Sequence, residues 1–514
     1  MQTANRVAKN TIVQYIRLML SVLIGLFSIR IILNSLGASD YGVYNLLGGT
    51  IGLLTFISNS LSQTSIRFIS VSLGKNDIAD IRKTFNACFT LHLIIAGILV
   101  AILEIIALFL FNGFLNIPKD RVISAQIVYH CMVLTLFLNV AVTPFKAVLV
   151  AHEKFMYTAC IGIFDVLCKL AIALIISIAF IDKLILYGIL MALIVIIDVS
   201  LYIGYVLFKY REEISIRNNS KKDIINVVGF AGWTLLDVFA SVINRQGYAV
   251  LLNKFFGPVT NAVYALAGQV EGNLYTVSSS VMETIKPQIM KSQGAGDANR
   301  VLRLSMTAGK FGFSMMSLLS IPLIVMMPEV LDLWLKDVPQ GTVLFSRLLV
   351  IACMFEQLTR GLVHANQAIG NIKWFSIIVS TIRMTAMPIS LICFLCGAPA
   401  YTAIIVFLCC ETLGSFSRVI VMSKTTDLKI LNFVKSVFFQ IIPPFIVAFI
   451  VSWISYRFFH DIEGMIAVCF ITATTYILLL YTVGLTKEER MSINGMIKSL
   501  INHFIRPRMS TKIN

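Results

Sequence analysis

Apolar runs of about 20 residues or more, the length that crosses a hydrocarbon core as a helix, recur from one end of the chain to the other. Short polar segments separate them. The pattern predicts spans at 11–36, 41–70, 84–111, 122–149, 156–180, 184–208, 224–253, 258–287, 301–327, 341–366, 372–396, 401–423, 434–457 and 463–485. Within lipid only a helix or a closed barrel satisfies its own backbone, and runs of this length select the helix. The interruption is greatest at 140–160, where Pro144, Lys146, His152, Glu153 and Lys154 break the apolar pattern.

A repeat organises these spans. With a shift of 220 residues, LGASDYGVYNLLGG from Leu36 aligns without a gap on FGPVTNAVYALAGQ from Phe256. The register holds through Gly37/Gly257, Tyr44/Tyr264, Gly48/Gly268, Gly52/Gly272, Ser72/Ser292, Gly74/Gly294 and Asp77/Asp297. Six spans separate the copies, so both cross the membrane in the same sense, a parallel repeat of the kind that puts a transport site where two halves meet. The reading is an all-α integral membrane protein of about 14 transmembrane helices: two six-helix lobes related by a parallel repeat, plus a C-terminal helix pair. Residues 1–208 form the N-lobe, 209–223 a cytoplasmic linker and 224–424 the C-lobe. A basic linker and the extra pair occupy 425–486, and 487–514 is a cytoplasmic amphipathic tail whose Ile493, Met496, Ile497, Leu500, Ile501 and Phe504 share one face.

The spans that open the two halves carry polar stripes. Gln14, Arg17, Ser21, Gly25 and Ser28 share one helix face, as do Asn45, Gly48, Gly52, Thr55, Asn59, Gln63 and Arg67. Gly229, Trp233, Asp237, Ser241, Asn244 and Tyr248 form a third stripe; Tyr264, Gly268, Glu271, Tyr275, Ser278, Met282 and Lys286 form a fourth. Small residues in such a stripe serve helix packing. Ionisable ones cost too much to face lipid and turn toward a cavity or a buried partner. Asp165 with Lys169, and Glu356 with Arg360, stand four apart and neutralise each other on one turn. Arg383 has no such neighbour, which leaves a ligand or a cross-helix pair with Glu411. Arg30 and Arg67 lie nearer span ends, where snorkelling to headgroups competes with a cavity role. Asp237 and Glu271 either carry a coupling Na+ or H+ or pair with Arg17 or Arg245.

Charge fixes an orientation. The chain is 514 residues long, 58% hydrophobic and 13% charged, with a net charge of +16. Counted with the N-terminus inside, cytoplasmic segments hold about two dozen Lys and Arg and the opposite loops about six, which places both termini in the cytoplasm. The first run is too long for a cleaved leader and reads as an uncleaved span. The excess charge belongs to membrane topology, so nucleic acid is not an expected partner. The ten cysteines fall almost wholly inside apolar spans and read as small buried hydrophobes; neither a metal site nor a bound cofactor is expected.

The segment LGASDYGVYNLLGGTIGLLTFISNSLSQTSIRFISVSLGKND resembles the Wzx-type O-antigen and capsule polysaccharide flippases of the MATE/MOP transporter superfamily. The most specific part is LG..DYG.Y at Leu36 to Tyr44, followed by the stripe that ends in Arg67. The resemblance implies a flippase that moves an undecaprenyl-pyrophosphate-linked oligosaccharide from the cytoplasmic to the outer leaflet of the bacterial inner membrane. It implies alternating access through a cationic cavity, in a protein of surface-polysaccharide or lipopolysaccharide biosynthesis, and leaves room for polysaccharide polymerase machinery as a partner. Arg17, Arg30, Arg67, Lys169, Arg245 and Arg383 are the positions here for that cationic role, Arg67 within the matching motif and the rest by their place inside spans. Asn59 and Gln63 would accommodate sugars. Two other classes compete: an ion-coupled multidrug or organic cation exporter on the same fold, which would depend on Asp237 and Glu271, and a membrane polysaccharide polymerase or ligase. The enzyme needs a large external loop with catalytic groups, and the segments near 112–121 and 328–340 are short.

Overall fold

The computed structural model describes residues 2–52, 54–111, 118–214, 221–335, 338–459, 461–487, 489–491 and 494–495. The amphipathic face proposed for the tail, from Ile493 onward, lies outside the described residues. The described elements are helices and the turns that join them. They are α1 (Gln2–Gly52), α2 (Thr55–Gly74), α3 (Ile78–Phe109), α4 (Val122–Ala151), α5 (Phe155–Ile178), α6 (Lys183–Lys209), α7 (Lys221–Gly294) and α8 (Ala298–Val325). After them come α9 (Met327–Leu335), α10 (Thr342–Ile369), α11 (Lys373–Leu395), α12 (Tyr401–Thr425), the single turn α13 (Ile430–Phe433), α14 (Phe439–Tyr456) and α15 (Ile462–Leu479).

Among the described residues eleven helical segments are long and apolar enough to cross a membrane. Of the predicted spans, 11–36, 41–70 and 258–287 fall outside that set, and all three carry polar stripes. The disputed stretch at 140–160 resolves simply: α4 continues through Pro144 to Ala151, and the chain turns at His152–Lys154 with Glu153 at a left-handed φ of +57°.

The repeat appears in the backbone. α1 and α7 are each broken by one non-helical residue, Gly37 (φ +78°, ψ +165°) and Gly257 (φ +82°, ψ −178°), which are equivalent under the 220-residue shift. That conformation is essentially closed to any residue with a Cβ, so glycine is required at both breaks. A second matched pair of left-handed residues, Asn76 (φ +54°) and Gly296 (φ +77°), precedes Asp77 and Asp297. The Asp77 carboxylate caps α3 through the Ala79 amide at 2.9 Å.

Two compact units result. One comprises Val13–Phe239 with Met290–Asp297. In it α4 packs between α6, α3 and α2 around Leu47, Leu61, Cys88, Leu103, Tyr129 and Leu184, all at most 2% exposed. The end of α7 crosses the end of α2 in this unit, glycine on glycine. A Cβ on Gly74 would lie 2.1 Å from the Lys291 carbonyl oxygen, and one on Gly294 would lie 1.9 Å from that of Val71. Residues 71 and 291, like 74 and 294, are repeat equivalents, so the crossing has a local two-fold character. Lys291 Nζ also reaches the buried Glu153 carboxylate at 3.2 Å. At the opposite ends of the helices Arg121 bridges Asp40 (2.7 Å) and Asp182 (3.0 Å). Burial alone would raise the Asp182 carboxyl. The amides of Ile185 and Leu184, the Ser124 hydroxyl and Arg121 outweigh that and hold its pKa below the ordinary carboxylate range.

The other unit comprises Met1–Ile12, Ala240–Ile289 and Ala298–Asn514. Its centre is the pair α8 and α10, which meet backbone to backbone: a Cβ on Gly361 would stand 1.9 Å from the Ser305 carbonyl oxygen. α12 packs on α10, and α11 on α12. The extra helices α14 and α15 lie against α8 through Ile321, Ala448 and Tyr476. A polar latch completes this attachment. Lys310 of α8, 2% exposed, donates to Gln440 and to Glu489, each at 2.6 Å. Glu489 accepts in turn from the Thr486 amide while its own amide donates to the Thr486 hydroxyl, a capping box beyond α15.

Candidate functional site

Among the described residues each unit holds a cluster of ionisable side chains within its spans. In the unit of Val13–Phe239 the group draws on α1, α4, α5 and α6. Arg17 hydrogen-bonds Gln14 (3.4 Å) and lies on the α5 backbone at Gly162, where a Cβ would stand 2.7 Å from its Nε. Glycine at 162 is therefore what admits the guanidinium. Lys169 pairs with Asp165 at 2.8 Å, one turn apart on α5 as the spacing predicts. Lys146 of α4 lies over the Tyr202 ring (5.0 Å), 3.5 Å from Asn139, within electrostatic reach of Arg17, Asp165 and Asp198. Three cations thus share a region with two carboxylates.

In the other unit the charges form a ladder. Arg245 Nη2 donates to Glu271 Oε2 at 2.9 Å across the two halves of α7. The Cys353 thiol lies beside Glu271, and Tyr275, one turn on, lies against Arg360 (5.8 Å to the ring centroid). Arg360 and Arg383 both donate to Glu356 Oε1, at 2.6 and 2.9 Å. Arg383 Nε lies 2.7 Å from Glu411, whose other oxygen is 3.9 Å from Arg418. Arg418 is fully buried and donates to the Thr359 hydroxyl at 3.1 Å. Four arginines and three glutamates alternate across α7, α10, α11 and α12. Charges this deep survive because Glu356 and Glu411 stand among the guanidiniums of Arg360, Arg383 and Arg418, at 2.6 to 3.9 Å.

The predicted residues therefore fall in different settings. Arg383 takes the cross-helix option with Glu411 and adds Glu356; its side chain is 6% exposed. Arg245 is the exposed end of the ladder, at 63%. Glu271 pairs with Arg245, one of its two predicted alternatives. Arg67 lies against the rings of both Phe68 (4.4 Å) and Phe230 (4.6 Å), which pack edge to face on each other. Asn59 is exposed, and Gln63 and Asp237 are half-buried. Arg30 lies in α1, with its side chain outside the described residues. Sequence reasoning passed over Asp198 and Arg418, and read Lys146 merely as an interruption. Arg418 had a signal, since it stands seven residues from Glu411 on the same face of α12.

Comparison with known proteins gives the fold. No family profile and no curated protein matches the sequence. Solved structures do match. An outward-facing multidrug resistance MATE family transporter of the MOP superfamily superposes with a TM-score of 0.71 at 14% identity, over 84% of this chain and 96% of that one. A Vibrio cholerae MATE transporter in its bent form gives 0.68 at 15% identity, over 82% and 98%. A MOP superfamily transporter from Pyrococcus furiosus, described by a reversed polarity of its binding pocket, gives 0.67 at 14% identity, over 84% and 96%. This chain is a multi-pass membrane protein with the fold of the MATE transporters.

Proposed function

We propose that this protein is a transporter that moves an undecaprenyl-pyrophosphate-linked oligosaccharide from the cytoplasmic to the outer leaflet of a bacterial inner membrane, with both termini cytoplasmic. The observation that carries the reading is the surplus of cations inside the spans. Among the described residues Arg17, Lys146 and Lys169 share their region with two carboxylates, Asp165 and Asp198, and the ladder has one arginine more than it has glutamates. A desolvated guanidinium or ammonium attracts phosphate oxygens, and a fork of N–H donors fits them in pairs. Arg17 and Arg67, with Asn59 and Gln63 along the same opening helices, are the residues assigned to the lipid-linked head; within its own unit, Arg245 is the arginine assigned to a phosphate. Arg383 is assigned a supporting role, because two glutamates already hold its charge.

Multidrug export is the second reading, favoured by the transporters that share the fold. It assigns Asp237 and Glu271 to a coupling Na+ or H+. A strain deleted for the gene separates the two. Lipid-linked oligosaccharide should accumulate on its cytoplasmic leaflet, and an R17A/K146A variant should insert normally yet fail to clear it. Unchanged surface polysaccharide together with a gain in drug susceptibility would transfer the assignment to export of organic cations.

A further inference from the structure

The ladder of alternating charges treats its three carboxylates unequally. Glu356 is held by two guanidiniums, Arg360 at 2.6 Å and Arg383 at 2.9 Å. Glu411 also faces two, Arg383 at 2.7 Å and Arg418 at 3.9 Å. Glu271 has one, Arg245. The exposures run in the same order: Arg418 and Arg383 are 1% and 6% exposed, Arg360 25%, and Arg245 63%. At the accessible end, then, stands a single ion pair whose arginine can be taken by another anion without disturbing the doubly clamped core behind it.

What Glu271 would meet after losing Arg245 is set by its neighbours. From α10 come the Cys353 thiol and the Glu356 carboxylate; its own helix contributes Tyr264 and Tyr275, and Arg360 lies beyond the Tyr275 ring. Arg360 is already committed to Glu356. A half-buried carboxylate with a second carboxylate nearby and no cation of its own is better off neutral.

We propose that Glu271 is an exchangeable counter-ion: when a phosphate group takes Arg245, Glu271 releases that arginine and takes up one proton from solution. Binding of the anion is thereby linked to binding of a proton. The step breaks one N–H···O contact, forms another to the phosphate, and adds H+ to the carboxylate, which offsets one negative charge of the incoming ligand. This rests on the reading that the transported molecule carries a phosphate.

The test uses the full-length protein in nanodiscs with farnesyl pyrophosphate as probe, titrated calorimetrically in two buffers of different ionisation enthalpy. The wild type should take up about one proton per ligand more than E271Q, and its affinity should tighten about tenfold per unit of falling pH relative to E271Q, the slope of a one-proton linkage. E271Q should bind at least as tightly as wild type, and R245Q at least tenfold more weakly. An R245Q/E271Q double variant, in which no charge is left unpaired, guards against misfolding and should bind weakly with no extra proton. If wild type and E271Q both bind with the same proton count and pH slope, the exchange is wrong and the anionic-substrate reading stands. If the wild type does not bind the pyrophosphate at all, that reading falls and the exchange with it.

Discussion

The two units solve the same problem differently. In the unit of Val13–Phe239 the intramembrane charges are loosely partnered: Lys169 and Asp165 are 41% and 23% exposed, Lys146 rests on a tyrosine ring, and Arg17 on a glycine backbone. In the other, every rung from Arg360 to Arg418 is engaged by an opposite charge. Position inside an apolar span therefore does not identify a ligand-binding charge. What distinguishes Arg17 from Arg383 is how much of the charge the protein has already neutralised, and that depends on partners far away in sequence.

The comparison can be broken first at Glu356. E356Q removes the carboxylate shared by Arg360 and Arg383 and strands buried guanidiniums, an expected loss of about 3–5 kcal/mol. Thermal unfolding in detergent should show it, with poor recovery of folded protein. An R383M/E411Q pair should cost less than either single change, and a double-mutant cycle would quantify the coupling. Next is the helix crossing. G294A places a methyl group against the Val71 carbonyl, and the overpacking should cost about 1–3 kcal/mol by the same assay. If G294A proves as stable as wild type, the crossing is looser than its geometry implies. Smallest is D165N, which breaks a half-exposed pair within one turn and should change stability by less than about 1 kcal/mol. Should D165N prove as damaging as E356Q, the contrast between the units would be lost.

Much of this architecture was legible in the sequence because it is written in local periodicity. Helix-length apolar runs are a direct consequence of bilayer thickness, and Gly37/Gly257 stood out because a repeat preserves the one residue type its kink tolerates. The pairs Asp165–Lys169 and Glu356–Arg360 followed from a four-residue spacing. The convergence of Arg383, Glu411 and Arg418 on Glu356 was only half visible, since it requires α10, α11 and α12 to be brought together. Lys146 and Asp198 were obscured for a simpler reason: each stands alone in its span, and a lone charge offers no spacing to read.

The latch between Lys310 and Glu489 bears on how this protein can be handled. A reporter or affinity tag spliced directly after Leu485 would discard Glu489 and leave an ammonium group enclosed beside α14 with only Gln440 for company. Such fusions should express poorly whatever their cargo, and their failure would say nothing about transport. Junctions placed beyond Asn494 keep the acidic clasp and allow activity to be judged on its own.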